Sequence, residues 1–271
     1  MSITILDGPM GTELLLRGVE TPLPGWSAHA LLTAPDVVRE IHADYARAGA
    51  TVHRTNTFRT KRRDFPGDWE ELTRAAMSIC RESIPADQRV AGSIAPLEDC
   101  YEPGKSPPDP RAELREFAHV LAEGCDLLVC ETFPHVGEAL IAVEECVVTG
   151  RETWVAFTAG PNADLLTPAE LGEGARRAID LGASTVLVNC VPVVRTLDYL
   201  KELSGLGVPF GAYANAGEPD DGFGWKSDPS EPQRYAAAAQ AWLDLGATIV
   251  GACCGTGPAH VRALADSIDA R

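Results

Sequence analysis

Short runs of β-branched and aliphatic residues alternate along this chain with longer stretches whose apolar positions recur every three or four residues. The short runs read as strands: ITILDG (3–8), TVHRTN (51–56), RVAGSIA (89–95), DLLVCE (126–131), TWVAFTA (153–159), STVLVNC (184–190), PFGAYAN (209–215) and TIVGAC (248–253). The intervening segments have helical spacing. In residues 34–50, Val37, Val38, Ile41, Tyr45 and Ala48 form one apolar stripe. Helical segments repeatedly end in Gly-Ala, at 49–50, 182–183 and 246–247, as expected where glycine takes the left-handed turn after a helix. Eight strands alternating with eight helices predict a single (β/α)8 TIM barrel. An open doubly wound sheet is the rival, but DGPMG after the first strand is not the glycine-rich dinucleotide turn that fold would carry. The proline-rich stretches 17–33 and 96–110 read as loops over the barrel mouth. No linker divides the chain, so residues 1–271 are expected to form one domain.

Composition narrows the function classes. The chain is 45% hydrophobic and 23% charged, ordinary for a globular protein. A formal charge of −16 argues against nucleic acid and against an anionic membrane surface. No secretory signal and no apolar run of membrane-spanning length are visible. The eight cysteines include several inside apolar runs, which favours free thiols in a reducing cytoplasm over a disulfide scaffold.

In a barrel the C-terminal strand ends converge on the active face. Cys190 ends the sixth strand, and Cys253 and Cys254 end the eighth. Adjacent cysteines are too close for an ordinary disulfide. Burial as small hydrophobes is one alternative; a metal is the other, since three thiolates with one open position suit a catalytic zinc. Both neighbours can reach one ion only if the strand breaks there, and Gly251, Gly255 and Gly257 make a break feasible. Asp7 and Glu131 also end strands. Asp7-Gly8 can be a simple turn pair, and Glu131 needs a cation, from a ligand or from an internal Lys or Arg. Asn56 and Asn215 are either turn residues or polar groups aimed into the mouth. Four histidines, His53, His119, His135 and His260, show no common ligand spacing and read as structural or exposed. Cys80, Cys125 and Cys146 read as packing residues; Cys100 and Cys130 match no ligand pattern.

LDGPMGTELLLRG, TNTF, ETF, VNC, YANAGEPD and GACCGTGPAHVRAL occur in the order seen in the homocysteine S-methyltransferase family, which the chain resembles from Ile3 to Ser267. The resemblance implies a zinc ion on Cys190, Cys253 and Cys254, with Asn215 as a fourth ligand when substrate is absent. Ala252 replaces a family glycine without touching a ligand. It also implies Asp7 and Glu131 beside the substrate ammonium, backbone amides near Gly11, Thr12 and Ser93 for its carboxylate, Asn56 in the substrate pocket, and Trp26 on the donor side. A free thiol is only a few per cent ionised at neutral pH, and zinc raises its thiolate fraction by roughly thirty-fold. Three thiolate ligands temper the metal so that the attacking sulfur stays electron-rich. No protein base is then required.

The expected partners are homocysteine and a small methyl donor. Betaine is disfavoured, because the tyrosines of the betaine branch fall on Arg59 and Thr132 here. A sulfonium, S-methylmethionine or S-adenosylmethionine, suits a stand-alone barrel. The basic run Arg54, Arg59, Lys61, Arg62 and Arg63 reads either as a solvated loop or as a docking patch for an anionic donor or a separate corrinoid protein. A non-catalytic zinc–thiol barrel and another thiol or selenol acceptor are the remaining alternatives. No counterpart of the long arm of betaine-type tetramers is seen, so a monomer or small oligomer is expected.

Overall fold

The computed structural model describes residues 3–216, 218–219, 225–226 and 231–270. Among these, eight parallel strands form a barrel: β1 (Thr4–Ile5), β2 (Val52–Arg54), β3 (Arg89–Ile94), β4 (Leu127–Phe133), β5 (Glu152–Phe157), β6 (Thr185–Pro192), β7 (Phe210–Asn215) and β8 (Ile249–Ala252). Each strand pairs in register with its neighbour from β2 through β8, and β8 pairs with β1. The ring closes through a parallel bridge between Leu6 and Val52. The crossover helices are α1 (Pro35–Ala48), α2 (Trp69–Ser83), α3 (Arg111–Ala122), α4 (Val136–Val148), α5 (Pro168–Asp180), α6 (Val193–Leu203), α7 (Glu231–Asp244) and α8 (Pro258–Asp269).

Local chemistry explains the boundaries. Helix α1 starts with proline at its first position and stops at Gly49, whose φ of 108° only glycine adopts freely. Helix α5 opens on a reciprocal Thr167–Glu170 capping box. The stretches expected to be loops contain short helices as well: Trp26–His29, Ala30–Thr33 and Pro103–Lys105. Met10–Leu16 forms a further short helix directly after β1. A two-residue antiparallel ribbon joins Glu218–Pro219 to Trp225–Lys226. Gly217 and Asp220, within the YANAGEPD segment, lie outside the described residues.

Two apolar layers result from strand alternation. Residues such as Val90, Leu128, Val155, Val186, Val188 and Val250 pack outward against the helices. Leu6, Val52, Ala91, Leu127, Val129, Ala156, Leu187, Tyr213 and Ile249 fill the barrel interior. Cys80, Cys125 and Cys146 are buried free thiols, as read from the sequence, and Cys130 points outward to put its sulfur 3.5 Å from that of Cys146. No helix among the described residues is long and apolar enough to cross a membrane.

Candidate active site

The C-terminal strand ends surround a cavity of about 340 Å³, and two groups of side chains define its chemistry. The first is sulfur. Alternation from Leu187 would point Asn189 inward and Cys190 out toward the helices, yet Cys190 faces the interior. Its backbone makes the difference. Cys190 has a φ of 51°, the register of β6 against β7 shifts between Asn189 and Pro192, and the bulge turns the thiol into the mouth. Such a conformation costs of order 1–3 kcal/mol in a non-glycine residue and persists only where surroundings over-determine it.

Those surroundings are visible. Thr132, on β4, has a φ of 63° at a matching register shift between Cys130 and Phe133. Asn189 reaches across β5 to clamp it. Its Oδ1 accepts from the Thr132 amide at 3.1 Å, and its Nδ2 donates to the Thr132 hydroxyl at 2.7 Å. The same Nδ2 lies 3.6 Å from the Cys190 sulfur, and the Thr132 hydroxyl lies 3.9 Å from it. The Thr158 hydroxyl donates to the Cys190 carbonyl at 3.3 Å.

The other two sulfurs come from the end of β8, which stops at Ala252. Cys253 continues the inward face set by Ile249. The chain then turns: Thr256 donates to the Cys253 carbonyl through both amide and hydroxyl, and Gly255 takes a φ of 75°. The turn brings Cys254 round to the same side. The sulfurs of Cys190, Cys253 and Cys254 all lie within 4.8 Å of one another. Tetrahedral zinc with Zn–S bonds of about 2.3 Å sets its sulfurs about 3.8 Å apart, so sulfurs grouped within this limit could close on one ion. Hydrogen bonds from Cys190 and Cys254 hold the Cys253 thiol well below the ordinary thiol range, and the Arg54 charge acts in the same direction. Donation to Cys253, then to Cys254, raises Cys190 well above it.

Asn215 supplies an independent test of fit. The Cys253 amide donates to the Ala214 carbonyl at 2.9 Å and the Ala216 amide to the Cys254 carbonyl at 3.0 Å, while Pro192 pairs with Asn215. Asn215 is therefore flanked by both cysteine-bearing strands. It is buried, and neither its Oδ1 nor its Nδ2 has a hydrogen-bond partner among the described residues. A buried amide left unpaired is costly. A cation held by the three sulfurs would give its oxygen a partner.

The second group is a buried ion network. The Asp7 carboxylate accepts from Arg54 Nε at 2.7 Å and from the Arg54 amide at 3.0 Å. Glu131 Oε2 accepts from Arg54 Nη1 at 3.1 Å and from the Tyr213 hydroxyl at 3.0 Å, while its Oε1 accepts from Ser93 Oγ at 2.5 Å. Arg54 Nη2 donates to the carbonyls of Asp7, Gly8 and Ala252 at 3.0–3.1 Å. The guanidinium lies 4.5 Å from the Tyr213 ring centroid. Asp7 and Glu131 thus meet in the mouth, and the cation that satisfies them is the internal Arg54.

For Arg54 and Lys61 this corrects the surface-loop reading of the basic run. Arg54 and Lys61 are buried; Lys61 donates to the Pro96 and Leu97 carbonyls, and burial lowers its pKa to about 8. Arg62 pairs with Glu116, and Arg63 with Glu98 and Glu113. Arg59 donates to the Glu98 carbonyl and lines the cavity. The run therefore divides: Arg54 and Lys61 belong to the interior, Arg59 to the cavity wall, and only Arg62 and Arg63 lie on the exposed loop, each paired with glutamate.

The remaining predicted residues divide. Gly11 lines the cavity, and the Trp26 ring lies so close that any Cβ there would meet it at 2.2 Å. Trp26 and Asn56 also line it; Asn56 Nδ2 donates to the Ser27 carbonyl, and its Oδ1 is unpartnered. Thr12 does not line it, because its hydroxyl accepts from the Gly255 amide. Three residues had gone unmarked: Tyr213, His42 and Asn189. His42 packs behind the network, its ligand atom within 4.8 Å of those of Asp7 and His53. Burial, then the neighbouring His53 and Arg54, lowers its pKa to about 3, so it is neutral. With both Asp7 oxygens engaged by Arg54, the sulfur group is the better cation site.

Residues 4–268 match the family model described as homocysteine S-methyltransferase. The chain belongs to this family. An S-methylmethionine–homocysteine S-methyltransferase of Pongo abelii is 31% identical over 98% of this chain and 78% of its own length. The homocysteine S-methyltransferase of Escherichia coli K12 is 30% identical over 97% and 94%. Among solved structures, the metallated form of the E. coli homocysteine methyltransferase MmuM superposes with a TM-score of 0.81 at 25% identity, covering 97% of this chain and 96% of that one. The 3-dehydroquinate dehydratase of Geobacillus kaustophilus, at 15% identity and a TM-score of 0.58, shares only the barrel.

Proposed function

We propose that this family member transfers a methyl group from a sulfonium donor, S-methylmethionine or S-adenosylmethionine, to the sulfur of homocysteine, with zinc on Cys190, Cys253 and Cys254. The single observation that carries the reading is the convergence of three sulfurs from β6 and β8 beside the unpartnered Asn215 amide. The metallated relative and the S-methylmethionine-using relative support it. Bound there, zinc supplies the positive charge that ionises an incoming thiol near neutral pH.

The chain's own residues do the rest. Asn189 and Thr132 hold Cys190 in its strained conformation, so the sulfur group is preformed. Trp26, Phe58 and Tyr101 give the cavity an aromatic wall suited to a cationic sulfonium, and Asp99 adds a carboxylate. Arg59 stands on the same wall, with its guanidinium engaged by the Glu98 carbonyl and stacked 5.8 Å from the Phe58 ring centroid. Displacement at methyl conserves charge: the thiolate gains the methyl and the sulfonium leaves as a neutral thioether. The free thiols suit a reducing compartment such as the cytoplasm. The test is metal analysis of reduced protein together with methionine formation from each donor. Stoichiometric zinc and turnover with a sulfonium are expected; turnover only with methylcobalamin or a corrinoid protein rejects the donor, and protein without metal rejects the site.

A further inference from the structure

The Asp7–Arg54–Glu131 network bears on how the acceptor is recognised, and the inference rests on the proposed thiol site. A carboxylate pair selects an ammonium when it is short of cations and donors. Here the pair is already supplied. Every Asp7 and Glu131 oxygen accepts at least one hydrogen bond, three of the four being bonded by Arg54 itself. Arg54 is equally committed: Nε and both terminal nitrogens donate, the latter to one carboxylate and three backbone carbonyls. It can neither swing aside without leaving those carbonyls unpaired nor lose its charge. An ammonium brought to Asp7 or Glu131 would meet a fixed guanidinium at contact distance, in a buried site where like charges repel strongly.

We infer that Arg54 takes the place of the acceptor's ammonium, so that this protein selects its thiol substrate without reading an amino group. The acceptor class is an alkanethiol whose amino group is not required, of which homocysteine is one member and its desamino analogue, γ-mercaptobutyrate, is another. The inner charge balance agrees. Asp7, Arg54 and Glu131 sum to −1, and buried His42, held neutral, adds no charge to it. The network is thereby less demanding of a second cation than two bare carboxylates.

The test uses the reduced full-length protein loaded with cobalt(II), whose sulfur-to-metal charge-transfer absorption reports thiol entry without any methyl donor. Titration with homocysteine and with γ-mercaptobutyrate is expected to give dissociation constants within about fivefold of each other. Aminopropanethiol, which keeps the ammonium and lacks the carboxylate, is expected to bind no more tightly than γ-mercaptobutyrate, because its ammonium finds Asp7 and Glu131 already engaged; binding more than about tenfold tighter overturns the inference. Homocysteine binding more than about thirtyfold tighter than its desamino analogue overturns the inference and leaves the metal–thiol reading intact. Neither thiol changing the spectrum overturns both. Arg54→Gln, which keeps an amide between the two carboxylates, should shift the preference toward homocysteine by about tenfold. If that variant does not fold, the unmodified protein's titrations decide alone.

Discussion

The sulfur corner and the carboxylate corner of this barrel mouth are built on opposite plans. Cys190, Cys253 and Cys254 gather three acidic groups with no cation among them, and the neighbouring Asn215 amide is buried without a partner. Asp7 and Glu131 gather two acidic groups around a resident guanidinium, with Ser93 and Tyr213 closing the remaining oxygens. One corner leaves a buried amide unpartnered beside three thiols, which supports the proposed ion; the other has every carboxylate oxygen engaged by the protein itself. Buried charge explains the difference. Several ionised groups cannot share a dry site unless something neutralises them, so the chain either supplies the cation or takes it from solution.

The most severe way to break the contrast is at the sulfurs. Cys190→Ser or Cys253→Ser should abolish stoichiometric metal binding and lower methyl transfer by at least about a thousandfold, since the ion is expected to supply several kcal/mol of charge stabilisation. Metal analysis and initial rates check both. At the other corner, Arg54→Met leaves two buried carboxylates without a counterion and should cost about 3–5 kcal/mol of folding stability, read from denaturant midpoints. That loss should appear equally with and without metal, whereas the cysteine variants should lose only the metal-dependent part.

Smaller changes sharpen the comparison. Asn189→Leu removes the amide that holds Thr132 and touches the Cys190 sulfur, and metal affinity should fall about 10–100-fold while the fold survives. A chelator competition measures it. Acid should act chiefly behind the carboxylate corner. Buried His42, with a pKa of about 3 against 6.5 normally, stays neutral where the unfolded chain would protonate. Between those values the unfolded state binds more protons, so stability falls as pH drops below 6.5. At pH 5 the loss is about 2 kcal/mol, and His42→Leu should flatten that slope in pH-dependent unfolding.

Much of this was legible in advance, residue by residue. Period-two alternation from Leu127 carries Glu131 inward, and the same rule starting at Val52 carries Arg54 inward and starting at Gly211 carries Tyr213 inward. Arg54 was nevertheless grouped with the basic run that follows it, because charge clustering along the chain masked its strand position. Lys61 escaped for a related reason, since its carbonyl partners at Pro96 and Leu97 lie on another loop. Cys190 is the opposite case: alternation points it the wrong way, and only the bulge with positive φ turns it into the mouth.

Local pattern was sufficient for the barrel itself, for the strand ends that bear cysteine, aspartate and glutamate, and for the thiols that merely pack. Those are near-neighbour properties, governed by periodicity and by the cost of burying polar groups. The folded barrel alone decided that Asn189 and Thr132 clamp Cys190, that Asn215 has no partner, and that Arg54 already neutralises Asp7 and Glu131. Each of these depends on distances between strand ends far apart in the chain, and such distances exist only once the ring has closed.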